Sequence, residues 1–293
     1  AEALRAAGER ELVLTGVNMA RWRDGAARIG DLLQSLLELP GTDYRIRLSS
    51  MEPGRHILNA NAQLAHPRVA RHLHVCLQSG SPRILRAMRR SPDVDAFRHL
   101  ADQLRHIDPL YNLTTDVIIG FPGETEDDFQ ATLDVVREIG YTHVHAFPYS
   151  PRPGTPAARM KARVPGPVMR ERAARLRELV AGIQKCYLEQ LTGTEDNILV
   201  EPTVGAGGGD GAGGSDGVGS GDGASGAEAM LGRTHVPDKS RGVYSEGYIG
   251  KYVRARVEGA YERGSLVPVR ITGVAQDRAC GRVADMVLSG RVV

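Results

Sequence analysis

Five short apolar, β-branched runs separated by helical stretches constrain this chain more than any other feature. Glu11–Thr15 (ELVLT), Tyr44–Leu48 (YRIRL), His72–Leu77 (HLHVCL), Leu113–Ile119 (LTTDVII) and Val144–Tyr149 read as strands. Between them, Ile29–Leu39, Pro82–Met88, Val94–Ile107 and Thr125–Ile139 read as helices, the last opening on a capping box of Thr125 and Asp128. This alternation is that of a parallel sheet with crossover helices, so the fold class is α/β. Five such units make most of an open barrel, a partial TIM-like one, rather than the closed eightfold form. A long helix over Val168–Leu191 follows, and then Asn197–Glu201, Tyr248–Val257 and Leu266–Val274 read as strands of a small antiparallel β domain. The expected division is a barrel over 1–165, a connecting helix over 166–193, a β domain over 194–275 and a C-terminal tail over 276–293.

The ends of the five barrel strands share a chemistry. The first runs into Thr15, Gly16 and Asn18, the second into Ser49, Ser50 and Glu52, and the third into Gln78, Ser79, Gly80 and Ser81. The fourth runs into Gly120 and Gly123 of DVIIGFPGET, and the fifth into Phe147, Pro148, Tyr149 and Ser150. Parallel α/β folds place their sites at the C-terminal edge of the sheet, and glycine there lets backbone approach a ligand closely. One polar strand end is routine, but five in one register point to a shared site. Ser81 followed by Pro82 is also an ordinary helix cap, which leaves Gln78 and Ser79 unassigned.

Composition narrows the class without naming a partner. At 293 residues, 41% hydrophobic and 25% charged, the chain can bury a large core and a smaller one. No apolar run approaches the roughly 20 residues of a membrane span, and the first residues lack the order of a secretory signal, so a cytoplasmic location is expected, or an organelle interior if a transit peptide precedes Ala1. A net charge of +2 does not by itself argue for nucleic acid. Cys76, Cys186 and Cys280 are widely spaced and odd in number, so each reads as a buried free thiol, and no metal site is assigned. Gly205–Ala229 is almost wholly Gly, Ala, Ser and Asp and reads as a flexible insert in the β domain. It lacks the apolar residue that each turn of a calcium-binding β-roll needs.

Taken in order, LTGVN, RIRLSSMEP, HLHVCLQSGS, TTDVIIGFPGETEDDF and HAFPYSPRPGTPAARM resemble the barrel strands of the radical S-adenosylmethionine (SAM) tRNA methylthiotransferases over about residues 8–200. LTGVN and RLSSMEP are most similar to the branch that acts on threonylcarbamoyladenosine. The resemblance implies addition of a methylthio group to C2 of N6-threonylcarbamoyladenosine beside the anticodon, with SAM as cofactor. It implies SAM near Ser50, Glu52, Gln78, Ser79, Asp116, Gly120 and Gly123, and Phe147 and Tyr149 near adenine or the target base. No catalytic residue follows from it, nor do the sulfur-donor and electron-donor proteins.

The C-terminal strands resemble a TRAM domain, an RNA-binding barrel. Arg233, His235, Lys239, Arg241, Lys251, Arg254 and Arg256 would then meet phosphates, with Tyr244, Tyr248 and Tyr252 between them for stacking. On the barrel side Arg86 and Arg90 share a helix face beside Arg83 and Arg89, and a tRNA anticodon loop is the expected partner. The chain departs from the family in one respect. Members carry a [4Fe–4S] cluster on a C-x-x-x-C-x-x-C loop, and no such loop occurs here, so the cluster is expected only in a longer protein with the loop upstream. Two other readings stay open: a non-catalytic RNA-binding protein on the same scaffold, and a ribosomal-protein methylthiotransferase.

Overall fold

A computed structural model describes residues 1–16, 19–201, 244–276 and 286–293. The parallel strands are β1 (Glu11–Leu14), β2 (Arg45–Leu48), β3 (His72–His74), β4 (Asn112–Ile119) and β5 (His143–Pro148). β1 pairs with β2, and β3, β4 and β5 pair in that order, all parallel. Parallel bridges from Ile46 to Val69 and from Met51 to Val75 join the two groups, so the strands run in sequence order across one open sheet.

Helices cover one face of this sheet. α1 (Ile29–Leu37) buries Ile29, Leu33 and Leu37, spaced four apart on one stripe. α2 (Pro82–Ala87) starts at Ser81, whose hydroxyl caps Ile84. α3 (Asp95–Ile107) buries Phe97, Leu100, Ala101 and Leu104. α4 (Glu126–Ile139) has both hydrogen bonds of the capping box expected at Thr125 and Asp128, and it ends on Gly140 in the left-handed conformation. Leu73, Val75, Leu113, Val117, Ile119, Val144 and Ala146 face these helices in the core. The alternate residues, with period two, form the other face: His72, His74, Thr114, Asp116, His143, His145 and Phe147.

α5 (Gly166–Leu191) belongs to both bodies. Its first half packs Ala173 and Leu176 on the sheet core, and its last turns place Leu188 and Leu191 in a second core. That core is enclosed by a closed five-stranded barrel of β6 (Glu195–Val200), β7 (Tyr244–Tyr248), β8 (Arg254–Glu258), β9 (Leu266–Gln276) and β10 (Met286–Val292). Four of its pairings are antiparallel, and β8–β10 is parallel.

Two boundaries differ from the sequence reading. Tyr248–Val257 is not one strand, because Ile249–Tyr252 turn back on themselves, Tyr252 at φ 56° and Gly250 donating to Asp196 Oδ1 at 3.0 Å. The span 276–293, read as a tail, contains β10, whose Val287 and Leu288 are buried and whose pairing with β8 and β9 closes the barrel. Its apolar signal, MVL, is short and runs into Gly290. The Gly205–Ala229 insert lies outside the described residues.

The barrel docks against the open sheet through polar contacts. Arg45 pairs with Glu11 at 2.6 Å and donates to the carbonyl oxygens of Asn197 at 3.0 Å and Tyr248 at 3.3 Å. Arg47 pairs with the same Glu11 and lies over the Tyr252 ring at 4.3 Å, while His72 meets that ring from 4.7 Å. Lys251 binds Asp108 at 2.5 Å, and its carbonyl oxygen accepts from the Asn112 amide at 2.7 Å.

Candidate functional site

The C-terminal edge of the sheet brings Ser50, Gln78, Gly120 and Gly123 of the sequence-expected residues to one rim, and the side chains near it divide by what they touch. Asp116, half-buried on the face away from the helices, lies 3.3 Å from Nε2 of His74. His145 flanks His74 with ring centroids 5.8 Å apart, His143 packs on His145 at 4.4 Å, and His145 stacks towards the exposed Phe147. Burial opposes charging of His74, but hydrogen bonds to Asp116 and Cys76 outweigh it and raise its pKa to about 9. Burial also opposes ionisation of Asp116, yet His74 and then His145 hold its carboxyl below the usual range. His143 is pushed down to about 4 by burial, then by the neighbouring His145 and His74.

Gly120 and Gly123 adopt φ of 77° and 85°, as a tight strand-to-helix turn requires of glycine. The Gly120 N–H donates to Glu124 Oε2 at 2.8 Å, and Glu124 in turn accepts from Arg172 of α5 at 2.7 Å. A side chain at Gly120 would run into Met169. The GFPGE turn is thus clamped from beneath by α5, which positions the rim.

Four assigned residues are committed elsewhere. Ser79 is fully buried on the helix side, its hydroxyl 3.4 Å from Thr132 and accepting from the Ser81 N–H. Gly80 beside it has no room for a Cβ, which would sit 2.5 Å from the Ala131 carbonyl oxygen, so α4 presses directly on this turn. Glu52, assigned to SAM, and Arg90, assigned to RNA, pair with each other at 2.8 Å. Lys251, assigned to phosphate, holds Asp108 with only 12% of its side chain exposed, so its charge serves the domain contact. Ser50 lies half-buried at the rim and Gln78 is buried there at φ 67°. Arg86 is exposed; Arg254 is half exposed and paired with Glu246, which also takes Arg256. Asn18, Arg233, His235, Lys239, Arg241 and Cys280 lie outside the described residues.

The histidines and Cys76 carry no role in the sequence reading, although His72, His74 and Cys76, like His143, His145 and Phe147, already show the two-residue period of one sheet face. Cys186 is exposed on α5 rather than buried, and Cys76 is half-buried.

Asp128 anchors the turn between β3 and α2 onto α4. It accepts from Ser81 Oγ at 2.6 Å, from the Thr125 N–H and hydroxyl, and from Arg83. Burial works against its ionisation, but Arg83, Ser81 and Thr125 hold its carboxyl far below the usual range. A depressed carboxylate adds stability above its unfolded value near pH 4, and that stability is lost as pH falls towards the folded value. Asp128→Asn is expected to cost about 1–3 kcal/mol at neutral pH and less in acid, measured by urea unfolding at pH 7 and at pH 3.

The family model of the radical SAM superfamily matches residues 1–136. Over those residues, just under half of its length, the chain is similar to that superfamily. It is 40% identical over 200 residues, 66% of the chain, to the threonylcarbamoyladenosine tRNA methylthiotransferase MtaB of Thermotoga maritima. It is 39% identical over 69% of its length to the MtaB of Treponema pallidum, and 37% over 69% to the tRNA-2-methylthio-N(6)-dimethylallyladenosine synthase of Zymomonas mobilis. It spans 45%, 42% and 46% of those three relatives, under half of each. The α/β class with parallel strands and a following β domain agrees with this similarity.

Similarity to that superfamily implies SAM and a [4Fe–4S] cluster. The rim suits the first: Ser49 Oγ and Tyr149 Oη are buried there with no hydrogen-bond partner among the described residues, and the Asp116 side chain on β4 is 25% exposed. The thiols do not suit the second. Cys76 lies past β3 and Cys186 on α5, each alone among the described residues, where a cluster takes several thiolates. No helix among the described residues is long and apolar enough to cross a membrane.

Proposed function

We propose that this chain is the SAM-binding barrel and RNA-docking domain of a tRNA methylthiotransferase acting on the modified adenosine beside the anticodon, in the cytoplasm. The observation that supports it most is the strand-end rim, where Ser50, Gln78, Asp116, Gly120 and the orphaned hydroxyls of Ser49 and Tyr149 share one edge next to exposed Phe147. SAM, when bound there, supplies the group that the reaction consumes. Asp116, held ionised by His74, would accept hydrogen bonds from a cationic or hydroxyl-bearing part of it. Gly123 has open space where a Cβ would stand, and Phe147, 53% exposed, offers a flat face to an unpaired base. Arg86 and the closed β barrel would meet the surrounding phosphates.

Relatives named for threonylcarbamoyl- and for dimethylallyladenosine match with overlapping identities, 39–40% and 35–41%. Threonylcarbamoyladenosine is favoured here by the LTGVN and RLSSMEP strand ends. The test is binding of anticodon stem-loops carrying adenosine, threonylcarbamoyladenosine or dimethylallyladenosine at the same position. The expected result is tightest binding of the threonylcarbamoyl form, with affinity falling at least about tenfold between 50 and 200 mM salt as a few phosphate contacts are screened. Salt-independent affinity, or equal affinity for all three loops, would refute the assignment.

A further inference from the structure

We propose that His74, Cys76 and Asp116 form a binding site for one divalent transition-metal ion, zinc being the reference case, on the face of the parallel sheet opposite its helices. The imidazole nitrogen, thiol sulfur and carboxylate oxygen all lie within 4.8 Å of one another. His74 Nε2 and Asp116 Oδ2 are 3.3 Å apart. Tetrahedral zinc, at about 2.0–2.1 Å from nitrogen or oxygen and about 2.3 Å from sulfur, holds its ligands roughly 3.3–3.7 Å from each other. The His74–Asp116 pair already has that spacing.

The surroundings supply what a metal-binding imidazole needs. Ligation through Nε2 leaves the Nδ1 proton of His74 to donate to Thr114 Oγ1, 3.0 Å away. The Thr114 hydroxyl can then donate to Nε2 of His72, also at 3.0 Å, so a relay of buried groups orients the ligand ring. The backbone is equally fixed: His74 and Thr114 are register partners on adjacent strands, and Asp116 lies two residues along the same strand. Cys76 is tied by its N–H to the Met51 carbonyl oxygen at 3.2 Å.

Chemistry selects the ion. One thiolate and one imidazole favour zinc, cobalt or iron(II) over magnesium or calcium, and a single thiolate excludes an iron–sulfur cluster at this position. Three protein ligands leave a fourth position open, as catalytic rather than structural zinc sites do, and the His145 ring flanks it. Asp116 is shared with the SAM rim proposed above, but the metal titration contains neither SAM nor RNA, so its failure and the failure of that reading are distinguishable.

Cobalt(II) is titrated into the chain carrying Cys186→Ser and Cys280→Ser, in which Cys76 is the sole thiol. One equivalent is expected to produce a thiolate-to-cobalt charge-transfer band that zinc abolishes by displacement. Adding Cys76→Ser should remove the band, and His74→Ala or Asp116→Asn should each weaken cobalt binding at least about tenfold. Absence of the band, or a band undiminished in both His74→Ala and Asp116→Asn, overturns the proposal. Asp116→Asn is isosteric, so it decides the matter if His74→Ala does not fold. As a second readout, saturating zinc should raise the melting temperature of the otherwise unaltered chain by a few degrees and leave that of Asp116→Asn unchanged. An equal response in the two proteins also overturns it.

Discussion

Arg172→Met should destabilise the protein by about 3–5 kcal/mol, a fall in melting temperature on the order of 10 °C. Arg172 and Glu124 form an ion pair at 2.7 Å with side chains only 5% and 2% exposed, so removing the arginine leaves a buried carboxylate without its counter-charge. Burial already pushes the Glu124 carboxyl above the usual range, against the pull of the Gly120 N–H and of Arg172. Without Arg172 it should take up a proton on folding, and the loss should shrink as pH falls. Adding Glu124→Gln to Arg172→Met should recover part of the loss, because the amide oxygen can still accept from Gly120 and no charge is left unpaired. The consequence reaches the rim, since Gly120 and its turn are held by this carboxylate. Thermal unfolding of the three variants at pH 5 and pH 8 measures all of this. An additive double variant would show that the pair is not coupled.

The second large effect is expected at the contact between the sheet and the small barrel. Arg45→Met removes the main partner of Glu11, 7% exposed, and strips the donor from the carbonyl oxygens of Asn197 and Tyr248. Arg47 still reaches Glu11 at 2.9 Å, so the cost should be about 2–4 kcal/mol rather than that of a fully orphaned charge. Hydrogen exchange should rise in β6 and β7 and leave β4 and α4 unchanged, because the lost bonds anchor only the barrel side. Exchange rising uniformly through the chain would mean that the two bodies unfold as one unit.

These contacts also show where a sequence stops being readable. The five parallel strands were legible because β-branched runs end at glycine, serine or proline, and α4 because Thr125 and Asp128 cap it as expected. The turn at Ile249–Tyr252 was not. Its Ile249 and Tyr252 suit a strand, and what holds the bend is Asp196, more than fifty positions away, accepting from Gly250. β10 escaped notice for a similar reason, since a short apolar run becomes a strand only when a barrel has edges to pair. Within the site, the motifs located the rim but not the commitments of single side chains. Ser79 turns under α4 because Gly80 lets that helix approach, and Lys251 is taken by Asp108 across the domain contact. Local sequence does not encode such pairings. The face lined by His74, Cys76, Asp116 and His145 was written in plain alternation, yet its chemistry emerges only when β3, β4 and β5 are laid side by side.

The assignment of the strand-end rim as the place where RNA is met is tested most directly by ultraviolet cross-linking of a threonylcarbamoyladenosine anticodon stem-loop to the chain, with the joined peptides identified by mass spectrometry. The expected peptides contain Phe147–Tyr149 and the Arg86 face of α2, and the Phe147 link should be lost in Phe147→Ala while RNA affinity falls only modestly. Cross-links confined to the exposed side of α5 around Cys186, with none at the rim, would contradict the account.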